Sequence, residues 1–198
     1  STSISSLSAG NFCWQVEEAC EGCKGMIQMK IAVNSVEYKC WHEAGHATVC
    51  LHLGGDVEFI EFLVNDPRGY AFARCIPKAG TERFVACAGF AAEFFLFNNG
   101  HIAEPVDEKA VSQICLGNAT NDGLDFLGRD LCSYVDGFTE VETREFVTCA
   151  IGSDGYGGVV PIINERFSVM QELVRELRGA RRVDGMRVKE LLRFGNPR

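Results

Sequence analysis

The chain has 198 residues, enough for one domain with a substantial core or for one domain with appendages. Apolar residues make up 46% and charged residues 23%, the balance of a folded globular protein. Its 19 Lys and Arg stand against 27 Asp and Glu, and the resulting net charge of −8 argues against nucleic acid as a partner.

No apolar run reaches the length of a membrane span, and Ser-Thr-Ser-Ile-Ser-Ser at the start has no secretory-signal layout. Ten cysteines lie mostly inside apolar segments, which suits reduced, buried thiols and a cytoplasmic setting. The basic residues gather late, at Arg175, Arg178, Arg181, Arg182, Arg187, Lys189, Arg193 and Arg198, and read as a solvated helical face.

Residues 1–34 read as an extension with a loose Ser/Thr-rich start. Cys20-Glu21-Gly22-Cys23 follows, with Cys13 upstream. A lone Cys-x-x-Cys with no second pair at ribbon spacing is a weak metal signal. Met29–Val33 is a short apolar run, and Asn34 or Ser35 suits the N-cap of a helix over 36–53. Tyr38, His42, His46, Val49, Cys50 and Leu53 fall on one face of that helix. Gly45 costs about 1 kcal/mol of helix propensity relative to Ala, so a crowded neighbour is expected against it. Gly54-Gly55 ends the helix.

Residues 57–64 read as a strand, Asn65-Asp66-Pro67-Arg68-Gly69 as a turn and 70–76 as the returning strand, a hairpin beside the helix. Thr81 opens a helix running to about Asn98. Its middle is apolar all round, so it is a buried central helix, and Glu93 is the one acid in that run. A buried carboxylate is costly unless paired or linked to a metal. Shorter helices are expected over 106–116, 122–135 and 139–151, the last with Thr139 and Glu142 as a capping box. A loop at 153–158 precedes an amphipathic helix over about 160–178 and a final helix over about 184–194. Residues 35–198 therefore read as one mainly helical (α+β) domain with a small β-hairpin next to the 36–53 helix.

The chemistry concentrates in His42-Glu43-Ala44-Gly45-His46, an H-E-x-x-H signature. Helix positions four apart differ by about 40° in azimuth, so both imidazoles point the same way and can grip one zinc ion. Glu43, beside the first ligand, is placed to act as general base on a metal-activated water. Two nitrogens leave the coordination incomplete. Glu93, Asp122, Asp125 and His101 are the candidates for a third ligand. Ala119-Thr120-Asn121-Asp122, after a Gly-Asn break and at the head of a helix, presents its carboxylate on a rigid element.

Three segments together, His42-Glu43-Ala44-Gly45-His46-Ala47, Gly89-Phe90-Ala91-Ala92-Glu93 and Ala119-Thr120-Asn121-Asp122, resemble the peptidase domain of the FtsH-type ATP-dependent zinc proteases in order and spacing. The resemblance covers about residues 35–180. It implies a helical zinc-peptidase domain with His42, His46 and Asp122 as Zn2+ ligands, Glu43 as catalytic base and Glu93 supporting the ligands. It also implies an edge strand at Tyr70, Ala71, Phe72 and Ala73 that pairs with an extended peptide or unfolded substrate. The departures are Phe90 where the family has Gly, Ala91 where it has Arg, and no ATPase module or membrane span. The chain would then act on loose peptides, borrow a separate ATPase or unfoldase, or have become something other than a protease, and the family's hexamers make a homo-oligomer an expectation. Two rival readings stand beside this one: a ligand set of His42, His46 and Glu93, and a non-enzymatic peptide- or partner-binding module with a structural or vestigial zinc.

Overall fold

The computed structural model describes residues 30–62, 71–104, 107–129, 138–155 and 157–193. The extension with Cys13, Cys20 and Cys23, the turn at 65–69 and Tyr70 lie outside the described residues.

Helix α1 (Val36–His52) is the axis of the domain. Ser35 caps it, its hydroxyl accepting the Tyr38 N–H, and Asn34 at φ 59° turns the chain into it. The expected single inward face understates its burial: Tyr38 and every residue from Cys40 to Leu51 are buried. Helices α3 (Ala88–Asn98) and α7 (Val160–Gly179) pack along it, and a small sheet covers another side. Upstream, Ile31 joins the same core through a parallel bridge to Ile102.

The sheet has three antiparallel strands in the order β2-β1-β3: β1 (Asp56–Phe62), β2 (Ala71–Ile76) and β3 (Arg182–Asp184). The first two are the expected hairpin. The third is not among the expected elements: it lies between the helix read over about 160–178 and the start of the one read over about 184–194, and three residues are too short to display a period of two. A register shift between Val57 and Phe59 bulges β1, and Gly185 packs directly on that bulge.

The single helix expected from Thr81 to Asn98 is two, α2 (Glu82–Ala86) and α3, broken at Cys87 (φ −89°, ψ 3°). Helix α4 (Glu108–Asn118) is capped by Asp107, and α5 (Thr120–Leu127) is stopped by Gly128 in the left-handed region at φ 64°. The expected 122–135 helix therefore ends early, and residues 130–137 lie outside the described residues. Helix α6 (Glu140–Ile151) carries both halves of the Thr139–Glu142 capping box. After α7 and β3 comes α8 (Gly185–Leu191). The fold is mainly helical with one small antiparallel sheet, and among the described residues no helix is long and apolar enough to cross a membrane.

The late basic residues meet acids of neighbouring elements: Arg178 with Glu37, Arg182 with Glu61, Lys189 with Asp56, Arg187 with Glu176 and Arg193 with Glu172. Such exposed pairs contribute roughly 0–1 kcal/mol each, so they fix orientation more than stability.

A Cβ at Gly185 would lie 1.8 Å from the Val57 carbonyl oxygen, whereas one at Gly179 meets nothing within 4 Å. Gly185→Ala is expected to cost about 1–3 kcal/mol in urea unfolding, as forced overpacking does. Gly179→Ala is expected to stay within about 0.5 kcal/mol of the parent chain or to stabilise it slightly.

Candidate metal centre

His42 and His46, one turn apart on α1, project their Nε2 atoms toward each other at 3.2 Å. Asp122, in the first turn of α5, closes the group: its Oδ2 lies 3.1 Å from His42 Nε2 and its Oδ1 3.4 Å from His46 Nε2. These three side chains form the only cluster of metal-ligating groups among the described residues. All three are largely withdrawn from solvent, with side-chain exposures of 11%, 11% and 16%.

What this cluster demands follows from the other side of each ring. His46 Nδ1 lies 2.7 Å from the Val85 carbonyl oxygen, which can only accept, so Nδ1 carries the hydrogen. His42 Nδ1 lies 2.8 Å from Glu93 Oε1 and likewise donates. Both neutral rings then present bare Nε2 lone pairs to one another and to a carboxylate. Three electron-pair donors facing inward repel unless a proton or a cation stands among them.

Burial disfavours charge on His42, yet Asp122 and Glu93 outweigh it and raise its pKa well above the ordinary histidine value. His46 is raised in the same way, burial opposing and Asp122 prevailing. Burial pushes Asp122 up, but the two imidazoles prevail and hold it below the usual carboxylate range. The site thus recruits positive charge. Its donor separations of 3.1–3.4 Å are also those of a cation's ligands. A tetrahedral ion with bonds of about 2.0–2.1 Å has ligand–ligand edges of about 3.3–3.4 Å. Two imidazole nitrogens and a carboxylate oxygen form the ligand set of catalytic zinc, and the residues fit Zn2+.

The supporting residues run deeper than the ligands. Glu93, 1% exposed, accepts from the Tyr38 hydroxyl at 2.7 Å and from Asn118 Nδ2 at 3.3 and 3.2 Å, besides the His42 ring. It therefore stands on the opposite side of His42 from Asp122, as an orienting partner rather than a third ligand. Asp125, one turn beyond Asp122, is outside the donor group; burial and the Asp122 charge push its carboxyl up. His101 stacks on Phe95 and Phe167 in an aromatic cluster.

Two glycines make the approach possible. A Cβ on Gly89 would fall 2.4 Å from His42 Nε2 and 2.5 Å from His46 Nε2. A Cβ on Gly45 would strike the Ala88 carbonyl oxygen at 2.7 Å, so the crowding expected there is the backbone of α3. Sequence reasoning missed Tyr38, Asn118 and the Val85 carbonyl as supports. Tyr38 left a trace, since it lies one turn before His42; the other two left none.

Glu43, 7% exposed, lies beside the cluster on α1. Its carboxylate takes the backbone N–H of Ala73 in β2, which ties the helix to the sheet's edge strand. Burial pushes its pKa up and Asp122 adds to this, against the pull of both imidazoles.

The sequence matches no protein-family model and no curated protein significantly.

Zinc uptake is expected to displace protons from the imidazoles, so affinity should fall as pH falls and binding heats should depend on the buffer in calorimetry. Glu93→Gln is expected to weaken zinc by about 10–100-fold in competition with a chromophoric chelator. Asp122→Ala and Gly89→Ala should leave chelator-dialysed protein without stoichiometric zinc, because one removes a ligand and the other fills its space.

Proposed function

We propose that this chain is a zinc-dependent metallopeptidase whose catalytic domain is of the FtsH type. The observation that carries the reading is the meeting of His42, His46 and Asp122, the last some eighty positions along the chain, beside a buried glutamate. The order of the three matching segments agrees with it. His42, His46 and Asp122 would hold the zinc, with Glu93 and the Val85 carbonyl fixing the two rings.

A zinc ion held there would supply Lewis-acid polarisation of the scissile carbonyl and acidify the attacking water. Glu43 acts as the base. It accepts the proton of the attacking water on its carboxylate and returns it to the leaving amine. The Ala73 N–H holds the carboxylate in place. β2 is an edge of the sheet, pairing with β1 alone among the described residues. An extended peptide or unfolded segment laid along Ala71, Phe72 and Ala73 would pass directly by Glu43. Folded substrates would call for a separate ATPase or unfoldase, and a homo-oligomer would fit the family reading.

Glu43→Gln is expected to retain zinc and to lose hydrolysis of an unstructured protein such as casein by at least about 100-fold, the usual contribution of a general base. Chelation should abolish the parent activity and added Zn2+ restore it. Undiminished cleavage by Glu43→Gln at full zinc content would refute the mechanism.

A further inference from the structure

Cys87 and Cys149 stand apart from the zinc chemistry, and the fold brings them together. Cys87 is the residue at the break between α2 and α3; Cys149 lies in the last turn of α6. Their thiols are in hydrogen-bond contact with each other. Each also points at the end of α2, Cys87 Sγ to the Phe84 carbonyl at 3.5 Å and Cys149 Sγ to the Arg83 carbonyl at 3.8 Å. Cys87 is fully buried and Cys149 is half-buried, so Cys149 is the more accessible of the two. The contact with Cys87 lowers the pKa of Cys149, with burial opposing and the Arg83 guanidinium assisting.

The position of Cys87 gives the pair its consequence. Two residues before it, the Val85 carbonyl holds His46 Nδ1; two residues after it, Gly89 lies against both ligand nitrogens. A bond that draws Cys87 toward α6 moves both supports. We propose that Cys87 and Cys149 form a peroxide-oxidisable dithiol whose closure to a disulfide loosens the metal centre.

The Cys149 thiolate attacks one peroxide oxygen and expels hydroxide, which leaves as water after protonation, and Cys149 becomes a sulfenic acid. Cys87 sulfur then attacks the Cys149 sulfur, gives up its proton and releases the sulfenic oxygen as a second water. Two thiols and one hydrogen peroxide thus yield one disulfide and two waters, with two electrons passing from sulfur to peroxide. An external dithiol reverses the bond by exchange. Bond formation is independent of the peptidase reading; only its effect on zinc rests on the metal centre.

The test treats the zinc-loaded chain with stoichiometric hydrogen peroxide, maps cross-linked peptides by mass spectrometry, and measures zinc affinity with a chromophoric chelator. A Cys87–Cys149 link, a fall in zinc affinity of about tenfold or more, and recovery with dithiothreitol support the proposal. Cys149→Ser should abolish the link and make zinc affinity insensitive to peroxide. The proposal is overturned if no Cys87–Cys149 link forms, including the case in which Cys50 and Cys75 link instead. It is equally overturned if the link forms with zinc affinity unchanged, or if oxidised Cys149→Ser loses zinc as the parent does.

Discussion

Everything in this domain is arranged around a repulsion. Two imidazoles and a carboxylate point their electron pairs at one place, at the edge of the core where they are largely withdrawn from water. In such a setting an uncompensated buried charge is strongly unfavourable, and the arrangement persists only with positive charge at its centre. The surrounding structure is consistent with that demand. Each ring has its outer nitrogen committed to an acceptor, so neither can turn away. The helices that carry the groups meet at glycine and alanine, because no larger side chain fits between Gly45, Ala88 and Ala92 or over Gly89.

The price of this geometry is visible in α3. A helix apolar on every side packs well between α1 and α4, but it has to bury Glu93 to orient His42. The acid is accommodated because three side chains from two other elements donate to it: Tyr38 and His42 from α1 and Asn118 from the end of α4. Hydrogen bonds to a charged group contribute roughly 1.5–3 kcal/mol each, enough in sum to offset a desolvated carboxylate. A network that is complete in this way also fixes the relative placement of α1, α3 and α4. The orienting residue is therefore at the same time a determinant of the fold.

How far this could be read from the sequence varied with the range of the interaction that decides each feature. The capping box of α6, the Ser35 cap and the long period of α7 are set by neighbours within one turn, and they were legible. So was the pairing of His42 with His46, since helical spacing alone aligns them. Asp122 was one candidate among four on its residue type; the matching segments singled it out, and α5 carries it to the rings. The break at Cys87 was not legible, because an apolar run without Gly-Pro punctuation reads as continuous helix. Next to the break stands a tertiary contact, the Val85 carbonyl on His46 Nδ1. Strand β3 was invisible for a similar reason: three residues form a strand only because the bulged β1 has a free side to pair with.

The junction between helix and sheet shows how the proposed chemistry and the fold share one mechanical part. Glu43 belongs to the same turn of α1 as the ligand His42, yet its carboxylate is held by an amide of β2. The strand's Ala73 N–H is thus engaged by a side chain of α1. Movement of β2 along the helix would carry that amide away from the carboxylate, and movement of α1 would displace the ligands themselves. A peptide pairing with the outer edge of β2 would therefore be held by the same element that positions the base. Register on the strand and distance to the proposed base become a single degree of freedom, along a strand whose Ala71 and Ala73 are half-buried and whose Phe72 is exposed. On this reading the sheet is needed for alignment more than for core volume, which accounts for so short a set of strands beside so much helix.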